Sequence, residues 1–214
     1  MNTYKYILKK YNLHPKDDYF IEIPDMGRGN LAELFAELGF TKGAEIGVEE
    51  GAYSEILCKV NPKLHLFCID PWSPSAYEPE EIESHDKQNF FDEKYELSRK
   101  RLALYNCTIL RKTSMEAIKD FPDGCLDFVY IDGNHDFINI AKDLHYWLKK
   151  IRIGGIISGH DFANFPSKKY NHVKKVVEVY ARCYHTFPYF IAGTDNAEGT
   201  QIRDKYRSWF WVKK

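Results

Sequence analysis

At 214 residues the chain is long enough for one domain with a sizeable buried core and too short for two of ordinary size. Its 30 basic and 31 acidic residues leave a formal net charge of -1, which excludes a broad positive field for nonspecific binding of a nucleic-acid backbone. The five cysteines, Cys58, Cys68, Cys107, Cys125 and Cys183, contain no C-x-x-C pair, so neither a disulfide framework nor a structural zinc site is expected, and reduced thiols fit the cytoplasm.

Taken in order, Met1 to Asn12 is polar and rich in lysine and tyrosine, with no apolar core of signal-peptide type, and no later stretch approaches a membrane span. Asn30-Leu-Ala-Glu33 has the pattern of a capping box, and Leu31, Leu34, Phe35 and Leu38 share one helical face before Gly39. Residues 1–40 therefore read as a helical extension, with the irregular stretch Ile23-Pro24-Asp25-Met26-Gly27-Arg28-Gly29 placed to close over a site. From 41 to 214 strand-like runs alternate with helical ones, the mark of a parallel sheet covered on both faces. Strands are expected at 44–48, 64–70, 107–110, 126–132 and 155–158, and helices near 52–60, 87–105, 114–120, 136–149 and 170–184. A continuous apolar run such as Phe128-Val129-Tyr130-Ile131 reads as a strand buried on both faces. Between Trp72 and Phe91 lie Ser73-Pro74, Glu78-Pro79 and the acidic residues Glu80, Glu81, Glu83 and Asp86, an irregular segment that suits either a pocket cover or a solvated loop.

The end of the chain differs. Runs at 187–192 and 206–212 have no convincing helix between them, which predicts a terminal antiparallel hairpin. Trp209, Phe210, Trp211 and Val212 are apolar on both alternating faces, so the last strand should be inserted inside the sheet and not left at an edge. Val173, Val176, Val177, Tyr180 and Tyr184 follow helical spacing as core, with Lys168, Lys169, Lys174 and Lys175 as a solvated face. The expected fold is a Rossmann-like three-layer α/β/α sandwich, with 1–214 as a single domain around a mostly parallel seven-stranded sheet ending in that hairpin.

The run Gly43-Ala44-Glu45-Ile46-Gly47-Val48-Glu49-Glu50-Gly51 places an acid and two glycines where an apolar strand turns into a helix. Gly47 would let the backbone turn beneath a ligand, Gly51 would let the next helix start close in, and Glu45 would sit beside what binds. The spacing Glu-x-Gly-x-x-x-Gly is not the dinucleotide Gly-x-Gly-x-x-Gly. A turn with an acid inside it suits a cationic, phosphate-free ligand such as S-adenosylmethionine better than a pyrophosphate, which wants bare N–H groups. Ligands of open parallel sheets bind outside the carboxyl ends of the strands. Four expected strands deliver polar residues there: Glu45 to Gly47, Asp70, Asp132 with His135, and His160-Asp161. Asp70 stands 19 residues beyond Gly51, where an acid reaches ribose hydroxyls, although a turn before Pro71 would also use it.

Four motifs, Glu45-Ile-Gly47-Val-Glu-Glu-Gly51, Cys68-Ile-Asp70-Pro-Trp72, Asp127-Phe-Val-Tyr-Ile-Asp132-Gly-Asn-His135 and Gly154-Gly-Ile-Ile-Ser-Gly-His160-Asp161, together resemble the class I S-adenosylmethionine-dependent methyltransferases. Within that class they are most similar to the macrocin and sugar O-methyltransferase type, over residues 40 to 165. The resemblance implies that Glu45, Gly47, Gly51 and Asp132 lie along the cofactor, that Asp70 binds its ribose, and that Thr113-Ser114-Met115 borders adenine. A Thr-Ser pair ahead of a helix is equally a cap. Metal-dependent members of the fold hold a divalent ion with an acid after the fourth core strand and two adjacent residues after the fifth, which here are Asp132, His160 and Asp161. Oxygen-only ligands are usual there, so His160 departs from the pattern and favours manganese over magnesium, or a site with His160 as a second base. Such an ion would bind two substrate oxygens and lower the pKa of the hydroxyl to be methylated. His135, three residues after Asp132 and near a helix start, is the candidate general base, and with Asp132 completes the catalytic pair; a capping role for it stays open.

The expected activity is O-methylation of a small carbohydrate or polyol by a cytoplasmic enzyme, with S-adenosylmethionine as donor and Mg or Mn as a compatible ion. A homo-oligomer is compatible as well. An RNA or protein methyltransferase without metal, a noncatalytic cofactor-binding module and a nicotinamide-dependent dehydrogenase are the readings left beside it.

Overall fold

The N-terminal extension opens with α1 (Thr3–Lys10), capped by Asn2, whose side chain accepts the Lys5 N–H at 3.0 Å. It continues through β1 (Phe20–Ile23) to α2 (Arg28–Glu37). Helix α2 starts three residues earlier than the capping pattern suggests, with its N-cap at Gly27 and not Asn30. Asn30 is the third helical residue, and its side-chain oxygen reaches back to the Gly27 N–H at 3.2 Å. Asn30 thus supplies one half of a capping box, the half that glycine at the N-cap allows, and Arg28 is drawn into the first helical turn. In this computed structural model residues 2–16, 18–76, 88–164, 171–193 and 206–214 are described. Glu78 to Asp86 of the acidic segment, and Lys168 and Lys169, lie outside them.

The rest of the chain forms β2 (Lys42–Ile46), α3 (Ala52–Val60), β3 (His65–Asp70), α4 (Gln88–Leu102), β4 (Cys107–Arg111), α5 (Ser114–Ala117), β5 (Leu126–Ile131), α6 (Phe137–Lys150), β6 (Ile151–Gly159), α7 (Val173–Cys183), β7 (Tyr189–Ala192) and β8 (Trp209–Val212). Strand β6 begins four residues before the expected 155. A register shift against β5 absorbs Gly154, which takes φ +78, and this irregularity hides the first half of the strand from a pattern search.

The sheet order is β1-β7-β8-β6-β5-β2-β3-β4. All neighbours are parallel except β8, which runs antiparallel to both β6 and β7 and is inserted between them, as its two apolar faces require. The sheet has eight strands and not seven, because β1 of the extension pairs in parallel with β7 along the edge. That strand is four residues long and only partly buried, so it carries little alternation to read. Residues alternate between two cores. Phe128, Tyr130 and Phe210 point to the side of α1, α2 and α3, while Val129, Ile131, Trp209 and Trp211 point to the side of α6 and α7. The latter includes Val173, Val176 and Val177, but Tyr184 at the end of α7 is 56% exposed and is not core. Among the described residues no helix is long and apolar enough to cross a membrane.

One packing contact fixes the centre of the sheet. The Phe128 ring stacks on Phe35 at 4.1 Å between ring centres and fills the space above Gly43, where a Cβ would collide with it. Because β5 carries the acid Asp132 at its end, this contact ties the extension to the site. Truncating such a buried ring costs roughly 3–5 kcal/mol. Phe128→Ala is expected to lower stability by about that amount in urea unfolding, and a loss under about 1 kcal/mol would contradict this role.

Candidate active site

The ends of β2 and β5 meet at Gly47. This residue takes φ +86, and a Cβ on it would collide with the backbone carbonyl of Asp132, so both its conformation and the close approach need glycine. Its N–H bonds the Ile69 carbonyl at 2.9 Å, and the Asp132 N–H bonds the Ile46 carbonyl at 2.7 Å, which stitches three strand ends together. Asp70 then shapes the following turn. One carboxylate oxygen accepts the backbone N–H groups of Val48 at 2.9 Å and Glu49 at 3.0 Å, and the other accepts that of Trp72 at 2.7 Å. The Trp72 indole closes the loop by donating to the Glu49 carbonyl at 2.7 Å. Burial raises the Asp70 pKa and these N–H groups counter it. The turn reading of Asp70 is therefore realised, and its carboxylate still faces a cleft.

That cleft, about 590 Å³ with its open solvent, is walled by Ile46, Gly47 and Asp70 on one side and by Thr113, Ser114, Met115, Asn139 and Asp143 on another. Thr113 is the helix cap: it accepts the Glu116 N–H, and Glu116 returns a bond to the Thr113 N–H at 2.9 Å. Ser114 is free of capping duty. Its hydroxyl donates to Asp143 and accepts the Trp147 indole N–H at 2.7 Å. Glu45 and Gly51 stand off the cleft wall. Glu45 is buried on the α3 side of the sheet, takes a hydrogen bond from Ser54, and is pushed by burial up to about 8 against the pull of that bond. Gly51, at φ +76, starts α3 against Ser98 and Leu102 of α4, so its close approach is to a helix and not to the sheet.

Beyond Gly47 the ends of β5 and β6 gather four ionisable side chains. Gly159 lets β6 press against the Ile131 carbonyl and the Trp209 ring. Asp161, in the left-handed region at φ +57, turns its carboxylate back toward β5. His135 Nε2 lies 2.9 Å from Asp161 Oδ2 and 3.6 Å from Asp132 Oδ1. His160 Nδ1 lies 3.5 Å from Asp161 Oδ1 and 3.8 Å from Asp132 Oδ1. The expected residues are thus brought together. The set whose ligand atoms all fall within 4.8 Å of one another is Asp132, His135 and Asp161, with His160 beside it. Asp136, not His135, caps α6 by accepting the Asn139 N–H at 2.9 Å. Neither His135 Nε2 nor His160 Nε2 has a hydrogen bond of good direction, though both are buried. Burial opposes a charge on His135, but Asp132 and Asp161 outweigh it and raise its pKa to about 10. Asp161 in turn is held below its ordinary value, His135 overcoming the effect of burial.

Two residues near the site escaped the sequence reading. Arg28 reaches from α2 to 3.7 Å from Asp132 and lies over the Tyr53 ring at 5.4 Å; its only signal was a lone cation between Gly27 and Gly29. Asp143 lies on the buried stripe of α6 with Ile140, Leu144 and Trp147. A carboxylate on an apolar stripe was a readable signal.

Residues 44–162, more than half of the chain, match the family described as Methyltransferase domain. The chain belongs to this family. It is a class I S-adenosylmethionine-dependent methyltransferase, and the matched span runs from the glycine corner through Asp161. The fold is shared with the O-methyltransferase TomG of Streptomyces achromogenes, involved in tomaymycin synthesis and solved with S-adenosylmethionine. That likeness has a TM-score of 0.60 at 17% identity over 97% of this chain and 86% of the other. An O-methyltransferase of Bacillus cereus solved with S-adenosylhomocysteine gives a TM-score of 0.59 at 15% identity over 100% and 91%. The uncharacterized protein y4gI of Sinorhizobium fredii is 32% identical over 53 residues, which are 25% of this methyltransferase and only 6% of that protein.

The raised pKa of His135 gives a signed prediction for the metal-free protein. The folded chain favours the imidazolium, so the stabilisation is whole below about pH 6.5 and is lost as pH rises toward 10. In urea unfolding with a chelator present, the stability advantage of wild type over His135→Gln should be level near pH 6 and shrink up to about pH 10. An advantage that grows over that range would contradict an imidazolium between the two carboxylates.

Proposed function

We propose that this methyltransferase moves the methyl group of S-adenosylmethionine onto a hydroxyl of a sugar or small polyol, with a divalent ion held between Asp132 and Asp161. The observation that carries this reading is the meeting of the glycine corner and the ionisable cluster at one point, Gly47 against the Asp132 carbonyl. In this reading Gly47 and Asp132 flank the methionine part, Asp70 faces the ribose, and Ser114 borders the adenine. Glu45 acts from behind the corner, with Gly51 setting the start of α3.

The donor set fits an ion. Two carboxylates of the same cluster face His135 Nε2, which lacks a well-directed partner, and His160 Nδ1, and a nitrogen donor from either histidine favours manganese or another transition metal over magnesium. When bound, the ion would draw down the pKa of the acceptor hydroxyl and hold a second oxygen of a vicinal diol. That demand for two adjacent oxygens, together with the motif resemblance, supports a carbohydrate or polyol acceptor. His135 takes the acceptor proton only after losing its own, which Asp132 and Asp161 hold; neutralising those carboxylates frees the ring to act as base. The remainder is positional. Donor and acceptor aligned on fixed strand ends avoid the entropy of meeting, an effect worth roughly 7–11 kcal/mol.

A metal-free protein or RNA methyltransferase is favoured by one observation, the 2.9 Å contact through which His135 already supplies a cation to Asp161. The two readings part under chelation. With a polyol acceptor, stripping by EDTA should lower turnover at least ~100-fold and added manganese should restore it. His135→Ala should lower kcat by about 10²- to 10⁴-fold with cofactor affinity unchanged. Full activity in EDTA would sink the metal-assisted reading in favour of the second one.

A further inference from the structure

The entry to α7 touches both members of the closest pair in the ionisable cluster, His135 and Asp161. The His172 N–H donates to the His135 carbonyl at 2.8 Å, which pins the loop that carries the imidazole. Burial would raise the pKa of Asp161, but His135, His160 and a hydrogen bond from the Asn171 side chain together hold it down. The Asn171 side-chain oxygen is spent inside its own turn, where it accepts the Val173 N–H at 3.4 Å, so the amide nitrogen is the end left for Asp161. An ionised carboxylate takes only donors, which agrees with that assignment. Val173, Val176 and Val177 share a core with Phe162, the residue after Asp161, and so anchor this helix entry beside the strand that delivers the acid.

Asp161 needs such a hold. It takes a left-handed backbone without being glycine, a conformation that lasts only where its surroundings over-determine it. A fixed backbone still leaves the carboxylate free to rotate, and its use in the proposed reaction depends on one orientation, with Oδ2 toward His135 and Oδ1 toward His160. We infer that Asn171 is a positioning residue for methyl transfer, its amide N–H holding the Asp161 carboxylate in this orientation while its oxygen supports the start of α7. The inference rests on the role proposed above for His135 and Asp161. Outer-shell donors of this kind set the direction in which a ligand points, and losing one commonly costs roughly 10- to 100-fold in metal affinity or activity.

Two substitutions separate the two duties of this side chain. Asn171→Ala removes both, whereas Asn171→Ser keeps an oxygen for the Val173 N–H and, one bond shorter, does not reach Asp161. In urea unfolding of the full chain at pH 6 with a chelator, His135→Gln should cost wild type stability, and that cost should fall by at least about half in the Asn171→Ser background, as for coupled residues. If Asn171 served the helix alone, the alanine variant would lose stability and the serine variant would regain it. The cost of His135→Gln would then be the same in every background, a result that overturns the inference, as does a cost absent from wild type. Manganese titration followed by electron paramagnetic resonance, with S-adenosylhomocysteine bound, gives the second readout. Asn171→Ser should weaken the ion roughly 10- to 100-fold, while calorimetry finds S-adenosylhomocysteine affinity within about twofold of wild type. Equal manganese affinity in the two proteins also overturns the inference. Wild type that bound no manganese would sink the metal-assisted reading instead, and the unfolding comparison, which needs no metal, would decide the inference alone.

Discussion

The site depends on one steric constraint, the contact between Gly47 and the backbone of Asp132. Two parallel strand ends approach so closely there that no side chain fits between them, and the left-handed turn they require is open to glycine at little cost. The consequence is chemical. The corner that would cradle the donor and the cluster that would prepare the acceptor become neighbours, so groups from β2, β3, β5 and β6 act within one volume. Asp70 makes the constraint durable, because its three backbone hydrogen bonds tie the turn at Val48 and Glu49 to the chain at Trp72.

The electrostatics of the cluster follow from the same geometry. Two carboxylates brought together at the strand ends need a cation, and His135 supplies it as an imidazolium whose lone pair is occupied by the proton it holds. In the proposed metal-assisted reading, a proton on the imidazole and a metal ion among the oxygens would compete for this site, each weakening the other. Arg28 adds positive charge from the extension, 3.7 Å from Asp132, so residues ahead of the core contribute to the balance.

Much of this was legible in the residues. The glycine corner, the four polar strand ends and the inserted last strand could be read because each rests on a local rule: an apolar run bounded by turns, an acid at its end, or both faces of a strand apolar. What could not be read was where side chains spend their hydrogen bonds. Asp70 looked like a ribose ligand or a turn, and is at least the turn. Thr113 and Ser114 looked interchangeable as caps, but only Thr113 caps while Ser114 joins Asp143 and Trp147. Glu45 was expected beside the ligand, and its side chain is buried off the cleft wall with a hydrogen bond from Ser54. Edge strand β1 was missed because four residues, of which only Ile23 is buried, hold too little periodicity, and Arg28 because its position depends on a helix that starts three residues before its apparent signal.

Diffraction from crystals grown with S-adenosylhomocysteine and manganese, recorded at the manganese edge, tests the central claim that donor cradle and ionisable cluster form one site. The account predicts an anomalous peak within ligand distance of Asp132 and Asp161, facing the sulfur of a ligand whose ribose rests at Asp70. A ligand seated away from Gly47, or a sulfur turned from Asp132, His135 and Asp161, would contradict it.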